Sequence, residues 1–295
     1  MGLRWLAVLT CAAVSVSACS SAGPRAAPPP SASPSPPSSS SPSAPSPSAV
    51  PADPAPSPPA PASTHLALGD SVAAGVGAGQ PETQGYVPVL AGLLAGRTGC
   101  ATADACRLAV RNLAVPGATT GTVLQQQVPA ARELLAGGDV RLVTVTVGGN
   151  DVFVPVVRAC ARSVEDPACP QAVTAALRQA DAGLDALLGR LTDAAGPGTP
   201  VAVSTYYDPL PACRLASLAP LAEEVLEGTG GQPGLNDLIR ARAEEHGAVS
   251  VETAGRLEAP DDFVGGLDCL HPSTSGHVRI ARAFLDAVGG RVATS

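Results

Sequence analysis

Short apolar segments alternate with longer amphipathic ones from residue 65 to the end of the chain, and this alternation limits the possible folds most strongly. Residues 140–147 are rich in β-branched side chains and end at two glycines, which is typical of a buried central strand. Residues 173–191 instead repeat leucine at helical spacing. Strands that alternate with helices need right-handed crossovers, so the pattern predicts an α/β fold with a mostly parallel sheet covered on both faces.

The same alternation predicts the number and position of the elements. The predicted strands are residues 65–68, 108–113, 140–147, 201–205 and 248–251. The predicted helices are residues 86–94, 122–135, 173–191, 235–245 and 274–288. The sheet is therefore expected to have five strands. In such sheets binding and catalytic groups gather beyond the carboxyl ends of the strands.

The first residues have the features of an export signal. Arg4 precedes a short apolar run that ends in small residues before Cys19. The segment Val16-Ser17-Ala18-Cys19 resembles the bacterial lipobox. This resemblance implies that Cys19 becomes the lipid-modified first residue of the mature protein. We therefore expect a lipoprotein-type signal peptide over residues 1–18 and a lipid anchor on the outer face of the cytoplasmic membrane. The alternative is ordinary cleavage and secretion, with Cys19 incidental.

A long segment after Cys19 lacks the side chains needed to build a core. Sixteen of the 31 prolines lie between Pro24 and Pro61, and the remaining residues there are almost all Ser and Ala. Such a composition favours an extended, semi-rigid spacer without packed structure. We predict a disordered linker over residues 19–63 and a folded domain over residues 64–295.

Composition excludes several classes of function. The chain has no lysine, so a P-loop lysine, a Schiff-base lysine and a lysine general base are all excluded. The net charge is −7 and aromatic residues make up 2% of the chain, which argues against a basic, stacking surface for nucleic acid. No nucleic-acid partner is expected.

Six cysteines lie in the predicted domain, at positions 100, 106, 160, 169, 213 and 269. An even number in an exported domain predicts three disulfides, for which the sequence alone allows about 15 pairings. A zinc site would need clustered Cys or Cys/His spacing, and the sequence has none. We therefore predict no metal site.

Polar residues with complementary chemistry follow the predicted strands. Ser71 comes directly after the first strand, where a helix is expected to begin, and His271 follows the last one. A serine hydroxyl is a weak nucleophile unless a base removes its proton, and a neutral imidazole is suited to that role. Asp268, three residues before His271, can fix the tautomer of the ring. His277, in the last helix, is the weaker candidate for the base.

Two further residues provide hydrogen-bond donors near the same strand ends. Gly117 has no side chain, so its backbone N–H can approach a substrate oxygen closely. Asn150 has a side-chain amide. With the backbone N–H of Ser71, these groups would form an oxyanion hole with three donors.

These residues occur in four sequence blocks that resemble those of the SGNH (GDSL) hydrolases. The blocks are Gly69-Asp70-Ser71-Val72, residues 112–117, Gly148-Gly149-Asn150-Asp151 and Asp268-Cys269-Leu270-His271-Pro272. The resemblance implies a three-layer α/β/α, flavodoxin-like fold and ester hydrolysis without metal or cofactor. It implies Ser71 as nucleophile, His271 as base, Asp268 as the residue that orients the base, and Gly117 and Asn150 as oxyanion donors.

The cysteine pattern resembles the secreted actinobacterial lipase/esterase branch of that family. The resemblance implies pairing in sequence order, as Cys100–Cys106, Cys160–Cys169 and Cys213–Cys269. The four blocks, in order after the predicted strands, predict a serine ester hydrolase that acts on a lipid or small acyl ester through an acyl-enzyme. Two alternatives remain open, namely a glycan or glycolipid O-deacetylase on the same fold and a non-catalytic surface-binding module.

Overall fold

The computed structural model describes residues 63–97, 108–160, 163–212, 216–257 and 260–292. The predicted signal peptide, the predicted lipidation site Cys19 and nearly all of the predicted linker lie outside these residues. The Cys100–Cys106 pair, Cys213 and the side chain of Cys269 also lie outside them, so these predictions stay predictions. None of the described helices has the length and apolar character that a bilayer-spanning helix needs.

A central sheet of five parallel strands organises the domain. Its strands are β1 (Thr64–Gly69), β2 (Ala109–Asn112), β3 (Val140–Thr146), β4 (Val201–Ser204) and β5 (Val249–Val251). They lie in the order β2-β1-β3-β4-β5, and every neighbouring pair is parallel. This is the flavodoxin-like strand order, with its switch point between β1 and β3. The predicted five-stranded α/β fold is confirmed.

Helices cover the sheet on both faces. In chain order they are α1 (Pro81–Gln84), α2 (Tyr86–Arg97), α3 (Thr120–Thr122), α4 (Val128–Ala136), α5 (Gly149–Cys160), α6 (Ala168–Ala195), α7 (Ala219–Glu227), α8 (Leu235–Glu245) and α9 (Thr274–Val288). A π-helical turn (Val123–Gln127) joins α3 to α4, and short 3₁₀ turns at Leu210–Ala212 and Ala216–Leu218 precede α7.

The strands send alternate side chains into two separate hydrophobic cores. Leu66 and Leu68 of β1 belong to the core under α4, α6 and α8. Ala67, between them, belongs to the opposite core, under α2 and α9. In that second core the rings of Tyr86 and Phe284 stack in parallel with centroids 5.0 Å apart. The two cores and the sheet between them make up the three layers.

The structure corrects several local predictions. Residues 71–77 form consecutive turns, so no helix begins at Ser71, and the next helix starts at Pro81. The predicted helix 122–135 is interrupted by the π-helical turn. Helices α5 and α7 were not predicted. Asp268 and His271 lie on a strand and not on a loop, because β6 (Phe263–Gly265) and β7 (Asp268–Pro272) form an antiparallel hairpin.

One of the three predicted disulfides falls within the described residues. Cys160, the last residue of α5, is bonded to Cys169, at the start of α6. This pairing was implied by the family resemblance and is confirmed. It joins consecutive helices across a short connection and so fixes the C-terminal end of α5.

Helical glycines in two environments give a test of this packing. A Cβ at Gly183 of α6 would lie 2.0 Å from the hydroxyl oxygen of Thr120, which is buried and bonded to Asp151. A Cβ at Gly92 of α2 would meet no atom within 4 Å. We expect Gly183→Ala to lower the free energy of unfolding by about 2–4 kcal/mol. We expect Gly92→Ala to raise it by about 0.5–1 kcal/mol, through helix propensity alone.

Urea unfolding followed by circular dichroism measures both changes. Equal effects of the two substitutions would contradict the tight contact between α6 and Thr120.

Candidate active site

A cavity of about 320 Å³ lies at the carboxyl end of the sheet. Ser71, Gly117, Asn150 and His271 all line it, although they come from four separate segments of the chain. The Asp268 carboxylate is hydrogen-bonded to Nδ1 of His271. The structure therefore brings all five predicted site residues to one place.

A glycine at the end of β1 allows the chain to turn toward Ser71. Gly69 has φ +129°, and a Cβ on it would lie 2.0 Å from the Thr146 carbonyl oxygen of the neighbouring strand. The buried side chain of Gln127 holds this residue from the other side, because it accepts from Gly69 N–H and donates to Gly69 C=O, both at 2.8 Å. Sequence reasoning missed Gln127, since a lone glutamine in a helical segment carries no signal.

The loop after Ser71 packs directly against the C-terminal hairpin. A Cβ on Gly77 would lie 2.2 Å from the carbonyl oxygen of Pro272 and 3.1 Å from Cβ of His271. Thr274 Oγ1 accepts from Gly79 N–H at 2.9 Å, and His277 Nε2 lies 2.9 Å from the Val76 carbonyl oxygen. These contacts position the segment of Ser71 next to the strand of His271.

Asp268 orients the imidazole of His271. Its carboxylate oxygens lie 2.8 and 3.0 Å from His271 Nδ1. One of them also accepts from the backbone N–H groups of Leu270 and His271, at 3.0 and 3.1 Å. Burial by itself would raise the pKa of this carboxyl, but the two N–H groups and the imidazole together bring it below its ordinary value. An ionised Asp268 keeps the proton of the ring on Nδ1, so Nε2 can act as an acceptor.

Three donors line the cavity beside Ser71. Within the described part of the chain, neither the backbone N–H of Ser71 nor that of Gly117 makes a hydrogen bond. Gly117 has φ +81°, a conformation that favours glycine. Asn150 donates one amide hydrogen to the Ala118 carbonyl oxygen at 3.0 Å, which orients the group and leaves the second hydrogen for a ligand.

Ser71 and His271 line the same cavity without a direct bond between them. Among the described residues, no hydrogen bond joins the Ser71 hydroxyl to the imidazole. Nucleophile–base contacts are commonly long in free enzymes and shorten when substrate binds.

Asp70, the residue before Ser71, is the centre of a buried polar cluster. It accepts from the Tyr206 hydroxyl, from the Thr146 hydroxyl at 2.9 Å and from Val72 N–H at 3.0 Å. Burial raises the pKa of Asp70 despite these bonds. Burial and the nearby carboxylate raise the pKa of Tyr206 as well. The Tyr206 ring packs closely against Gly149, where a Cβ would lie only 2.8 Å from a ring carbon.

His277 is not the base. Its Nδ1 accepts from Tyr86 N–H at 3.3 Å and its Nε2 donates to the Val76 carbonyl oxygen, so both ring nitrogens are used. Burial lowers the pKa of this ring, which keeps it neutral. Its role is to hold the loop after Ser71.

One cluster among the described residues has the composition of a metal site. Ligand atoms of Asp185, Glu245 and His246 lie within 4.8 Å of one another. The guanidinium of Arg242 bonds to Glu245 and lies 3.9 Å from Asp185, while His246 pairs with Asp185 at 2.7 Å. Because a fixed positive charge already balances these carboxylates, ion pairing accounts for the cluster.

Neighbouring tyrosines test the electrostatics of the Asp70 cluster. Tyr206→Phe removes a donor from a buried carboxyl, whereas Tyr207→Phe removes a bond of 3.1 Å to the neutral Leu270 carbonyl. At neutral pH we expect losses in the free energy of unfolding of about 1.5–3 kcal/mol for Tyr206→Phe and about 1 kcal/mol for Tyr207→Phe.

The two variants should also differ in pH dependence. The unfolded carboxyl ionises at an ordinary pKa, whereas folded Asp70 holds its proton to a higher pH, so ionisation costs stability as the pH rises. Loss of the Tyr206 donor raises the folded pKa further, and the effect of Tyr206→Phe should grow from pH 5 to pH 8. Urea titrations across this range measure the effect. A loss independent of pH, like that expected for Tyr207→Phe, would contradict the assigned role.

Comparison with known proteins agrees with this fold and site. Residues 67–279 match the model of the GDSL-like lipase/acylhydrolase family. The fold is similar to that of the lipase Lip_vut3 from a goat rumen metagenome, with a TM-score of 0.59, 18% identity, and coverage of 79% of this chain and 99% of that one. It is also similar to an extracellular lipase from Streptomyces rimosus, with a TM-score of 0.54, 23% identity, and coverage of 77% and 100%.

No curated protein matches the chain in sequence. At the identities given above, the two solved structures show the fold alone. The family model, however, spans well over half of the sequence, from within the first strand into the last helix. The chain therefore belongs to the GDSL-like lipase/acylhydrolase family and is a carboxylic ester hydrolase.

Proposed function

We propose that the protein hydrolyses carboxylic esters through an acyl-enzyme formed on Ser71. One observation carries the proposal. Ser71 and His271 lie near opposite ends of the domain's sequence but line one cavity. Asp268 lies 2.8 Å from Nδ1 of His271 and leaves Nε2 as the acceptor for the Ser71 proton. This is the arrangement in which a serine hydroxyl becomes a nucleophile at neutral pH.

In the first half of the reaction, Ser71 Oγ bonds to the ester carbonyl carbon and its proton moves to His271 Nε2. The carbonyl electron pair shifts onto oxygen and gives a tetrahedral oxyanion. When the carbon–oxygen bond to the alcohol breaks, the imidazolium returns the proton to the leaving alkoxide. Asp268 stays ionised and stabilises the imidazolium.

The oxyanion is stabilised by the three donors that line the cavity. The N–H groups of Ser71 and Gly117 are available because no other group in the described chain accepts from them. The amide of Asn150 is already oriented by its bond to the Ala118 carbonyl. Donors that are fixed in advance need no reorganisation when the charge forms, and each commonly contributes about 3–4 kcal/mol.

In the second half of the reaction, water replaces the alcohol. His271 takes a proton from the water, the hydroxyl oxygen attacks the acyl carbon, and the same donors bind the second oxyanion. The carboxylic acid leaves when Ser71 Oγ recovers the proton from the imidazolium. Assignment to the secreted actinobacterial branch and attachment to the cell surface through Cys19 stay predictions from the sequence.

Covalent labelling provides the most direct test. A fluorophosphonate probe should label the wild-type protein at Ser71, and Ser71→Ala should abolish both labelling and the hydrolysis of p-nitrophenyl esters. The matched control is Ser163→Ala, because Ser163 is exposed and its hydroxyl accepts only from Glu165 N–H, at 3.1 Å, among described residues.

Mass spectrometry of the labelled protein identifies the modified residue. Equal turnover by wild type and Ser71→Ala would overturn the proposal. Labelling at a different serine would also overturn it.

The orienting role of Asp268 predicts a separate kinetic effect. Asp268→Asn keeps the shape of the side chain but can hold the imidazole in the wrong tautomer, with the proton on Nε2. We expect kcat to fall by a factor on the order of 10³–10⁴, with little change in KM. Steady-state kinetics with a p-nitrophenyl ester measure this change, and circular dichroism checks the fold. A variant within tenfold of wild type would contradict the role.

A further inference from the structure

The cavity of the active site continues well beyond the groups that carry the chemistry. Its polar and ionisable side chains lie near Ser71, and they are Asp70, Asn150, Tyr206, Tyr207 and His271. The Tyr207 hydroxyl already donates to the Leu270 carbonyl oxygen, next to His271. The remainder of the lining is almost entirely aliphatic and aromatic. Among the described residues that line it there is no arginine, glutamate or lysine, and Asp70 is its one carboxylic acid.

The apolar part of the cavity extends along helix α5. Asn150 lies in the first turn of the helix, and Val152, Val156 and Cys160 line the cavity at successive helical spacings. These three side chains are buried, at 3–5% exposure. A rise of 1.5 Å per residue places the ends of α5 about 16 Å apart. The lined face therefore runs away from the oxyanion donors along nearly the whole helix.

Helix α7 supplies residues to the same cavity. Leu221, Ala222 and Val225 line it, with spacings of one and three residues. We call the space lined by α5 and α7 the α5–α7 channel. Its far part includes Cys160, which is bonded to Cys169.

The chemistry of this channel selects among possible substrates. A sugar ring placed there would lose water from several hydroxyl groups and find no donor or acceptor in return, which is costly. A phosphate or carboxylate would find no positive charge. A methylene chain has no hydrogen bonds to water to lose, and it gains about fourfold in binding affinity for each CH₂ that is buried.

We infer that the α5–α7 channel binds the acyl chain of the substrate, and that the enzyme prefers esters of medium-length to long aliphatic acids over acetyl esters. This inference rests on the proposed acyl-enzyme mechanism. The lined face of α5 from Asn150 to Cys160 runs about 15 Å along the helix, and an extended chain advances slightly less than 1.5 Å per carbon–carbon bond, so this face spans about a dozen carbons.

A series of p-nitrophenyl esters tests the preference in the full-length protein. We expect kcat/KM to rise at least about 100-fold from acetyl to octanoyl and to level off near dodecanoyl. A second series, with acetate esters of alcohols of increasing length, distinguishes the acyl group from the alcohol. A rise in the alcohol series only would overturn the assignment.

Two valines of α5 provide a matched pair of variants. Val156 lines the channel, whereas Val154 lies on the other side of the helix and is 42% exposed. Val156→Phe should lower the ratio of the octanoyl to the acetyl kcat/KM by at least 10-fold, since the larger ring occupies the space of the chain. Val154→Phe, with the same change of side chain, should leave that ratio unchanged.

Ala222→Phe narrows the channel from α7 and provides a second variant if Val156→Phe does not fold. It should lower the same ratio. Equal ratios for the wild type and both channel variants would overturn the inference, as would a wild-type enzyme that prefers acetyl esters. If hydrolysis still requires Ser71, either of these results overturns the inference about the acyl chain but leaves the proposed acyl-enzyme mechanism intact. Loss of all ester hydrolysis in the wild type would instead count against that mechanism.

Discussion

The contact between the loop after β1 and the C-terminal hairpin is the constraint on which the active site depends. Backbone meets backbone at Gly77, where any side chain would overlap the Pro272 carbonyl oxygen. His277 and Thr274, in the first turns of α9, bond to the same loop. Since Ser71 begins that loop and His271 precedes α9, these few contacts convert a large separation in sequence into a shared cavity.

Two carboxyl groups near the cavity are shifted in opposite directions, and their surroundings explain why. Asp268 is partly exposed and receives two backbone N–H groups and an imidazole, so its pKa is lowered. Asp70 is fully buried, and burial outweighs the bonds from Tyr206, Thr146 and Val72. In the proposed mechanism, the partly exposed carboxylate of Asp268 compensates the charge that forms on His271. The buried one helps to position the chain next to Ser71.

The parts of the fold that follow a regular period could be predicted from the sequence, and those that break one could not. Helix α8 and helix α9 have the predicted bounds, because their apolar residues recur at helical spacing. Helix α5 was missed because it begins with Gly149 and contains Pro155, both unfavourable in helices. The hairpin of β7 was missed because its paired segments are very short.

The candidate site was predictable for a different reason. Ser71, Asn150 and His271 are residue types with specific chemistry. Ser71 follows β1, Asn150 begins the helix after β3, and His271 lies on the β6–β7 hairpin. The supporting residues have no such signal. Gln127 and Tyr206 acquire their roles only through tertiary contacts with Gly69 and Asp70. Local sequence carries no information about such contacts.

Helix α5 joins the two halves of the proposed function in one rigid element. Its first turn carries Asn150, and its later turns line the α5–α7 channel. Both ends of the helix are fixed, because Asp151 accepts two hydrogen bonds from Thr120 and Cys160 is bonded to Cys169. A chain bound along this helix places its ester carbonyl at a set distance from the amide donor. Binding energy gained far from the reacting carbon can then hold that carbon in position for attack, which is how remote contacts accelerate a reaction.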